Sequence, residues 1–532
     1  MKRYEIPLRR MFSWTGMSAL GAGAFSVVFL ASSVCWTVEK AKSQDAGVPS
    51  DVPAVANVPA VTASTDSVVA NLLATPWTVA PDADNPDRRA VFNTYREKWR
   101  PILAEMRELQ TEYRQPTTSV ARQQEIATRF RELEQQSLVL VPDVARAALE
   151  AYCQDPSKNG DIFDFLASYI VDNIRGTRFD DVLRYCQKLI DSGCPEPMPA
   201  AWAAVAAMRL GDFDKAKEYL LLSNEKYDAL HATPKSDDAT DAQTEMNASE
   251  FLYAYLRMAC ENDDYEVAYD TSRLLLSINY QGDAFPAFAG YAAYCVNDFD
   301  MAEQQLKMAL DQKWLVPRKA GDLMDRARNA LQTLSKSRAE WEAELAIRQA
   351  EDAAGKADPN QANPRVRIET SKGPIVVELF ENQAPNATAN FITLTEKGYY
   401  TDIPFHRVLP GFMAQGGDPT GTGAGGPGYT IRSQYQNPDA RKHFRGTLSM
   451  ARTAQPDTEG SQFFLCFVPA KFLDNNYTAF GRVVEGMDVL AQIAKMDPEN
   501  PDPAIEPDTI VSATVLNKRP HAYTFEKIPE RR

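Results

Sequence analysis

Through the middle of the chain apolar residues recur with a helical period, and near its end they alternate with a strand period. From Asp87 to about Gly355 they fall every three or four positions among Ala, Leu, Glu, Arg and Gln, which predicts amphipathic helices with one buried stripe each. Residues 87–154 read as a long helical hairpin broken around Gln115-Pro116. A charged helix, roughly Lys319 to Ala354, closes the helical region before the Pro/Asn-rich run that ends at Pro364, a boundary signal. Beyond it, Val366 to Thr370 and Ile375 to Leu379 alternate around Ser371-Lys372-Gly373-Pro374, predicting a β-hairpin. A helix is expected to start at Ala384-Pro385.

The amino terminus carries a different pattern. Lys2, Arg3, Arg9 and Arg10 precede 28 uncharged residues, Met11 to Val38, more than the ~20 a helix needs to cross a bilayer. Residues 1–43 therefore read as a single-span anchor or a cleaved signal. The basic flank would stay cytoplasmic and the folded part would lie on the extracytoplasmic, periplasmic side. Residues 44–86 hold no Lys or Arg and are rich in Pro and Ala; they read as a disordered tether.

Within 155–318 an aromatic-acidic-x-aliphatic turn signal repeats at Phe179, Phe213, Tyr265 and Phe299. The first and last intervals are both 34 residues, and the middle one is 52. The polar stretch Thr233 to Ser249 can absorb that 18-residue excess as a loop. The beat resembles that of tetratricopeptide repeats, whose helix pairs bury their faces only against their neighbours. In the last unit Gly290, Tyr294, Phe299, Ala302 and Ala309 fall where such a repeat wants small or aromatic residues. The resemblance implies a concave surface for a peptide or protein ligand, with a plain spacer as the alternative.

Charge and cysteines narrow the chemistry. Fifty-seven basic residues against 72 acidic ones leave a net charge of −15, which repels phosphate backbones and argues against a nucleic-acid partner. Four scattered histidines and seven cysteines without a CxxC pair form no local metal or redox motif. Cys153, Cys186, Cys260 and Cys295 sit at apolar helix positions and read as buried thiols; pairing in an oxidising compartment is the alternative.

The chemistry lies between 365 and 518. Pro404-Phe405-His406-Arg407 leads into Phe412-Met413-Ala414-Gln415-Gly416-Gly417-Asp418. Gly446-Thr447-Leu448-Ser449-Met450-Ala451-Arg452, Gly460-Ser461-Gln462-Phe463-Phe464, Phe472-Leu473-Asp474 and Ala479-Phe480-Gly481 follow. In this order and spacing the blocks resemble the cyclophilins, a family of peptidyl-prolyl cis-trans isomerases. The resemblance implies an eight-stranded antiparallel β-barrel with two helices, and no metal or organic cofactor. It implies that Arg407 is the catalytic guanidinium and that Gln415 positions it. Phe412, Met413, Phe464 and Leu473 would grip the proline ring. Gln462, Ala451 and Arg452 would hold the peptide, with His406 at the rim. Phe472 stands where many eukaryotic members carry tryptophan, and Tyr477 where the family has a histidine. The segment Ala451 to Gln462 has the bacterial length.

The chain as a whole then reads as multidomain: an anchor or signal, an all-α helical-repeat middle, a long helix and linker at 319–364, the barrel, and a basic tail at 519–532. Its expected substrates are proline-containing protein clients in the envelope, in a chaperone-like folding role. The rival expectation is a catalytically idle scaffold that binds one specific envelope protein.

Overall fold

The computed structural model describes residues 68–74, 84–115, 117–232, 247–502 and 505–529. The expected membrane segment 11–38, most of the tether and most of the loop 233–249 lie outside the described residues. Among the described residues no helix is long and apolar enough to cross a membrane. One stretch of the expected tether departs from the reading: Val68–Ala74 is a helix. This stretch has no proline, so its backbone donors are free to bond. The fold divides into two compact units between Ala254 and Tyr255.

In the first unit the expected hairpin is present as Arg88–Tyr113 and Val120–Gln154. Each of its helices is capped by a side chain, Asp87 or Ser119, that accepts the third helical N–H. Shorter helices follow at Gly160–Arg175, Phe179–Asp191, Met198–Arg209 and Phe213–His231. The aromatic of each repeated turn signal is the first residue of a helix, as are Tyr265 and Phe299 in the second unit. The cause is local. Asp212, Asp264 and Asp298 stand just before three of these helices, and each accepts the N–H three residues on, the strongest kind of N-cap.

Small residues sit where helices press together. Ala200, Ala203, Ala204 and Ala207 are fully buried in Met198–Arg209. Gly290, in Phe285–Cys295, faces Leu306 so closely that a Cβ would lie 2.9 Å from its backbone nitrogen. The long helix of the second unit runs Leu323–Ala357, starting later than the charge pattern suggests because Asp322 caps it. All six described cysteines are free thiols.

The carboxy-terminal part of the second unit is a curled antiparallel sheet. Its strands are β1 Arg365–Thr370, β2 Gly373–Leu379, β3 Ile403–Pro404, β4 Arg407–Leu409, β5 Met413–Gly416, β7 Thr447–Met450, β8 Phe463–Cys466, β9 Ala479–Glu485 and β10 Thr509–Asn517. They pair in the order β3-β10-β1-β2-β9-β7-β8-β5-β4. The count is nine, not the expected eight, because the run 403–409 breaks at Phe405-His406 and its halves join opposite ends of the sheet. Those ends are two residues apart in the chain, so the sheet is curled almost closed on itself. Val366, Ile375, Val377, Val408, Ala414, Leu448 and Leu465 have no exposure and fill its inside. Helix Pro385–Glu396 inserts Phe391 against Phe463 and Phe480, with ring centroids 5.4 Å from each.

The basic tail is tied down over its described residues. Ile528–Pro529 (β11) pairs with Tyr429–Thr430 (β6). The Tyr523 hydroxyl donates to Glu381 at 2.7 Å, and His521 lies against the same carboxylate, which raises its imidazole pKa.

Candidate functional site

The site grows from three neighbouring strands. Arg407 is paired with Gln415 across β4 and β5, and Gln415 with Phe464 across β5 and β8. Side chains alternate between faces along a strand. Since Val408, Ala414 and Leu465 point into the barrel, Arg407, Gln415 and Phe464 stand side by side on its outer face.

There they border a cavity of about 530 Å³. Met413, Phe464 and Leu473 are buried and form an apolar floor, and Phe412, Ala451 and Tyr477 pack against it as walls. The Tyr477 ring meets Phe464 edge-on at 5.9 Å. Phe472 lies 5.3 Å from Phe412 and is 69% exposed, a lip rather than a wall. The Arg407 guanidinium lines the same cavity, 5.9 Å from the Phe412 ring. Arg452 closes the far rim, stacked between Tyr477 at 4.7 Å and Tyr435 at 5.1 Å. Its Nε donates to the Asn476 carbonyl at 2.7 Å.

Two of the expected site residues stand outside this lining. Gln462 uses its amide for bracing. Its Oε1 accepts from Gln415 Nε2 at 2.9 Å, and its Nε2 donates to the Gly423 and Gly425 carbonyls, each at 2.9 Å. It thereby ties the glycine-rich loop to Gln415, and its backbone carbonyl accepts the Ala451 N–H. His406 is half-buried beside Gly423, and neither ring nitrogen has a hydrogen-bond partner. Burial lowers its imidazole pKa, Asp418 partly offsets this, and the neighbouring Arg407 charge lowers it further. The ring is therefore neutral at pH 7.

Several supporting residues were not apparent from the sequence. His443 lies flat behind Phe464, the rings 13° from parallel. Its Nδ1 is 2.9 Å from Asp474 Oδ1; a carboxylate only accepts, so Nδ1 is the donor. Nε2 is 3.0 Å from Ser449 Oγ. Asp418 has no exposure, and burial alone would raise its carboxyl pKa. Backbone N–H groups of Thr420, Gly423 and Gly425 instead hold it below the ordinary value. An Asp directly before a glycine-rich stretch was the available signal, since such a side chain organises a turn from within. His443 and Asp474 offered none, being 31 residues apart.

An external apolar slot with a guanidinium at each rim and a braced glutamine at its edge, on a curled antiparallel sheet, defines a class built to hold an apolar ring. Residues 365–515 match the family model described as cyclophilin type peptidyl-prolyl cis-trans isomerase/CLD. A peptidyl-prolyl cis-trans isomerase of Helicobacter pylori is 50% identical over 133 residues, which span 24% of this chain and 80% of the relative. The peptidyl-prolyl cis-trans isomerase CYP18-2 of Arabidopsis thaliana is 40% identical over 163 residues, 30% of this chain and 99% of the relative. Among solved structures, a cyclophilin type isomerase of Cryptosporidium parvum shares 34% identity over 29% of this chain and 99% of that one, with a TM-score of 0.27. The chain belongs to the cyclophilin-type peptidyl-prolyl cis-trans isomerases.

Proposed function

We propose that this protein accelerates rotation about X–Pro bonds in exported or envelope proteins, with the barrel as the catalyst and the helical units as a client-binding arm. The uncatalysed barrier is ~18–20 kcal/mol because the nitrogen lone pair is delocalised into the carbonyl. In the twisted transition state that pair is localised on nitrogen and accepts a hydrogen bond it could not accept before. A guanidinium aimed at it stabilises the transition state above either planar form, and each tenfold in rate needs only about 1.4 kcal/mol.

Arg407 fills that role. The floor of Met413, Phe464 and Leu473 holds the proline ring, and Gln415, braced by Gln462, keeps the edge of the slot in shape. No proton need be transferred, in keeping with a neutral His406. The observation that carries the reading is Arg407 on the rim of an apolar slot of about 530 Å³. Export is supported by the basic cluster and uncharged run at the amino terminus. The tetratricopeptide-like reading of the arm is supported by the two 34-residue intervals, now seen as helix starts.

The test is an isomerisation assay on a short X–Pro peptide, comparing the full chain with Arg407→Ala. Loss of one such transition-state donor is expected to cut kcat/KM by roughly a hundredfold or more, with the melting temperature little changed. Equal, negligible rates for two folded proteins would favour the idle-scaffold alternative.

A further inference from the structure

The hairpin that carries the site is held at its tip by the helical part of the same unit. Arg407 lies on β4, and Met413 and Gln415 on β5. The connection Leu409-Pro410-Gly411-Phe412 is closed by the Phe412 N–H donating to the Leu409 carbonyl at 3.1 Å. Proline second and glycine third, with Gly411 at φ +68°, is a type II turn. In such a turn the N–H of the third residue has no partner within the turn. Here it would be orphaned, at a cost when shielded from water.

Asp263 takes that proton. Its Oδ1 accepts from Gly411 N at 2.8 Å, and its Oδ2 lies 3.1 Å from the Lys495 ammonium. Asp263 is 1% exposed, so the bond is sheltered. The fit leaves no slack: a Cβ on Gly411 would fall 1.4 Å from an Arg326 guanidinium nitrogen. The clamp continues one strand inward. Phe467 N donates to the Phe412 carbonyl at 2.9 Å. The Phe467 carbonyl accepts from Arg445, and Arg445 is paired with Glu266.

The position of Asp263 in its own helix turn is informative. Two residues before each repeated aromatic, the chain takes a positive φ, at Thr177, Gly211, Asp263 and Asn297. The backbone asks only for a residue that adopts the left-handed region, and glycine, asparagine and threonine meet that need at the three sister turns. A carboxylate there is not required by the turn. It is what the isomerase hairpin uses.

We propose that Asp263 is a positioning residue for the isomerisation, holding the Pro410-Gly411 turn so that Arg407 and Phe412 keep their places around the slot. The helical segment is thereby part of the catalytic apparatus, and a displacement of the turn at 262–264 would be read directly at the active site. This inference rests on the isomerase reading of the slot.

The test uses the full chain with Asp263→Gly and Asp263→Asn, both types already found at the sister turns and so compatible with the fold. Each removes the charge facing Lys495, and only asparagine keeps an acceptor for Gly411. The expected result is a fall in kcat/KM of about tenfold for Asp263→Gly, one lost hydrogen bond to a charged group, with most of the rate restored in Asp263→Asn. Amide hydrogen exchange of the 405–416 segment should rise in the glycine variant and return in the asparagine variant. Wild-type rates in Asp263→Gly would overturn the proposal. So would an asparagine variant as slow as the glycine one, because the ion pair with Lys495, not the turn, would then be responsible. A wild-type chain without isomerase activity would sink the isomerase reading separately, and the exchange comparison alone would decide whether Asp263 holds the turn.

Discussion

Glu459 shows how one residue can couple the site loop to pH. It has no exposure, its Oε1 accepts from the Thr478 hydroxyl at 2.7 Å, and its Oε2 has no hydrogen-bond partner. Burial raises its carboxyl pKa to about 7, with the hydrogen bond from Thr478 pulling the other way. The folded state therefore keeps a proton that the unfolded chain loses near 4.5. The associated stability is complete at low pH and is lost as pH rises from about 4.5 through about 7, a change on the order of 3 kcal/mol. Glu459→Gln should flatten the profile, with an advantage over wild type that grows across that window. Urea midpoints at pH 4.5, 6 and 8 check this; parallel curves for the two proteins would be inconsistent with it. At this scale the resemblance of the sequence blocks to the cyclophilins pointed to Arg407, Phe412, Met413, Gln415 and Phe464, which the structure brings around one cavity. It could not show that Gln462 ties Gln415 to the glycine-rich loop, because both ends of an amide are free until a fold supplies partners.

Elements were legible where their causes are local. The repeated aromatics mark helix starts because an Asp just before three of them caps the first turn. The hairpin 365–379 follows from alternation around Lys372-Gly373. What joins elements was not legible. The charged helix expected over roughly 319–354 gave no sign of what it packs against. In the structure its Glu344 makes a two-pronged pair with Arg441, both 4% exposed, at 2.7 and 2.6 Å. Arg441 also stacks on Phe380 at 3.9 Å, and Trp341 meets Phe444 edge-on at 5.0 Å. Glu344 also accepts from Arg348 at 2.7 Å, and Arg441 also donates to Glu351 at 2.9 Å, so removing the Glu344 charge leaves two buried guanidiniums with one carboxylate between them. Glu344→Gln should therefore lower stability by about 3 kcal/mol, read as a lower urea midpoint. A single variant as stable as wild type would show that the pair contributes nothing.

At the scale of the second unit, the barrel and the helical segment before it are joined by several hydrogen bonds and ion pairs. Asp263 reaches the catalytic hairpin, Glu266 reaches Arg445, and Glu340 pairs with Lys471 beside the slot residues Phe472 and Leu473. A fragment of residues 360–532 would leave Arg441, Arg445 and Phe444 uncovered and the Gly411 N–H without its acceptor. It is expected to melt lower than the full chain and to isomerise a short X–Pro peptide more slowly. The comparison is made by calorimetry and by the peptide assay. A fragment equal in both would mean that the helices contribute nothing to the catalyst.

The sequence by itself determined the helix starts, the strand alternation and, through its blocks, the family of the carboxy-terminal domain. These depend on side-chain type and on spacings of a few residues. Only the tertiary structure decided which residues support the slot: His443 behind Phe464 through Asp474, Asp418 inside its own loop, and Asp263 at the tip of the hairpin. The last is 148 residues from Gly411 in the chain. Pairings as distant as those of Asp263 and His443 depend on which surfaces meet once apolar faces are buried, and no local pattern encodes them.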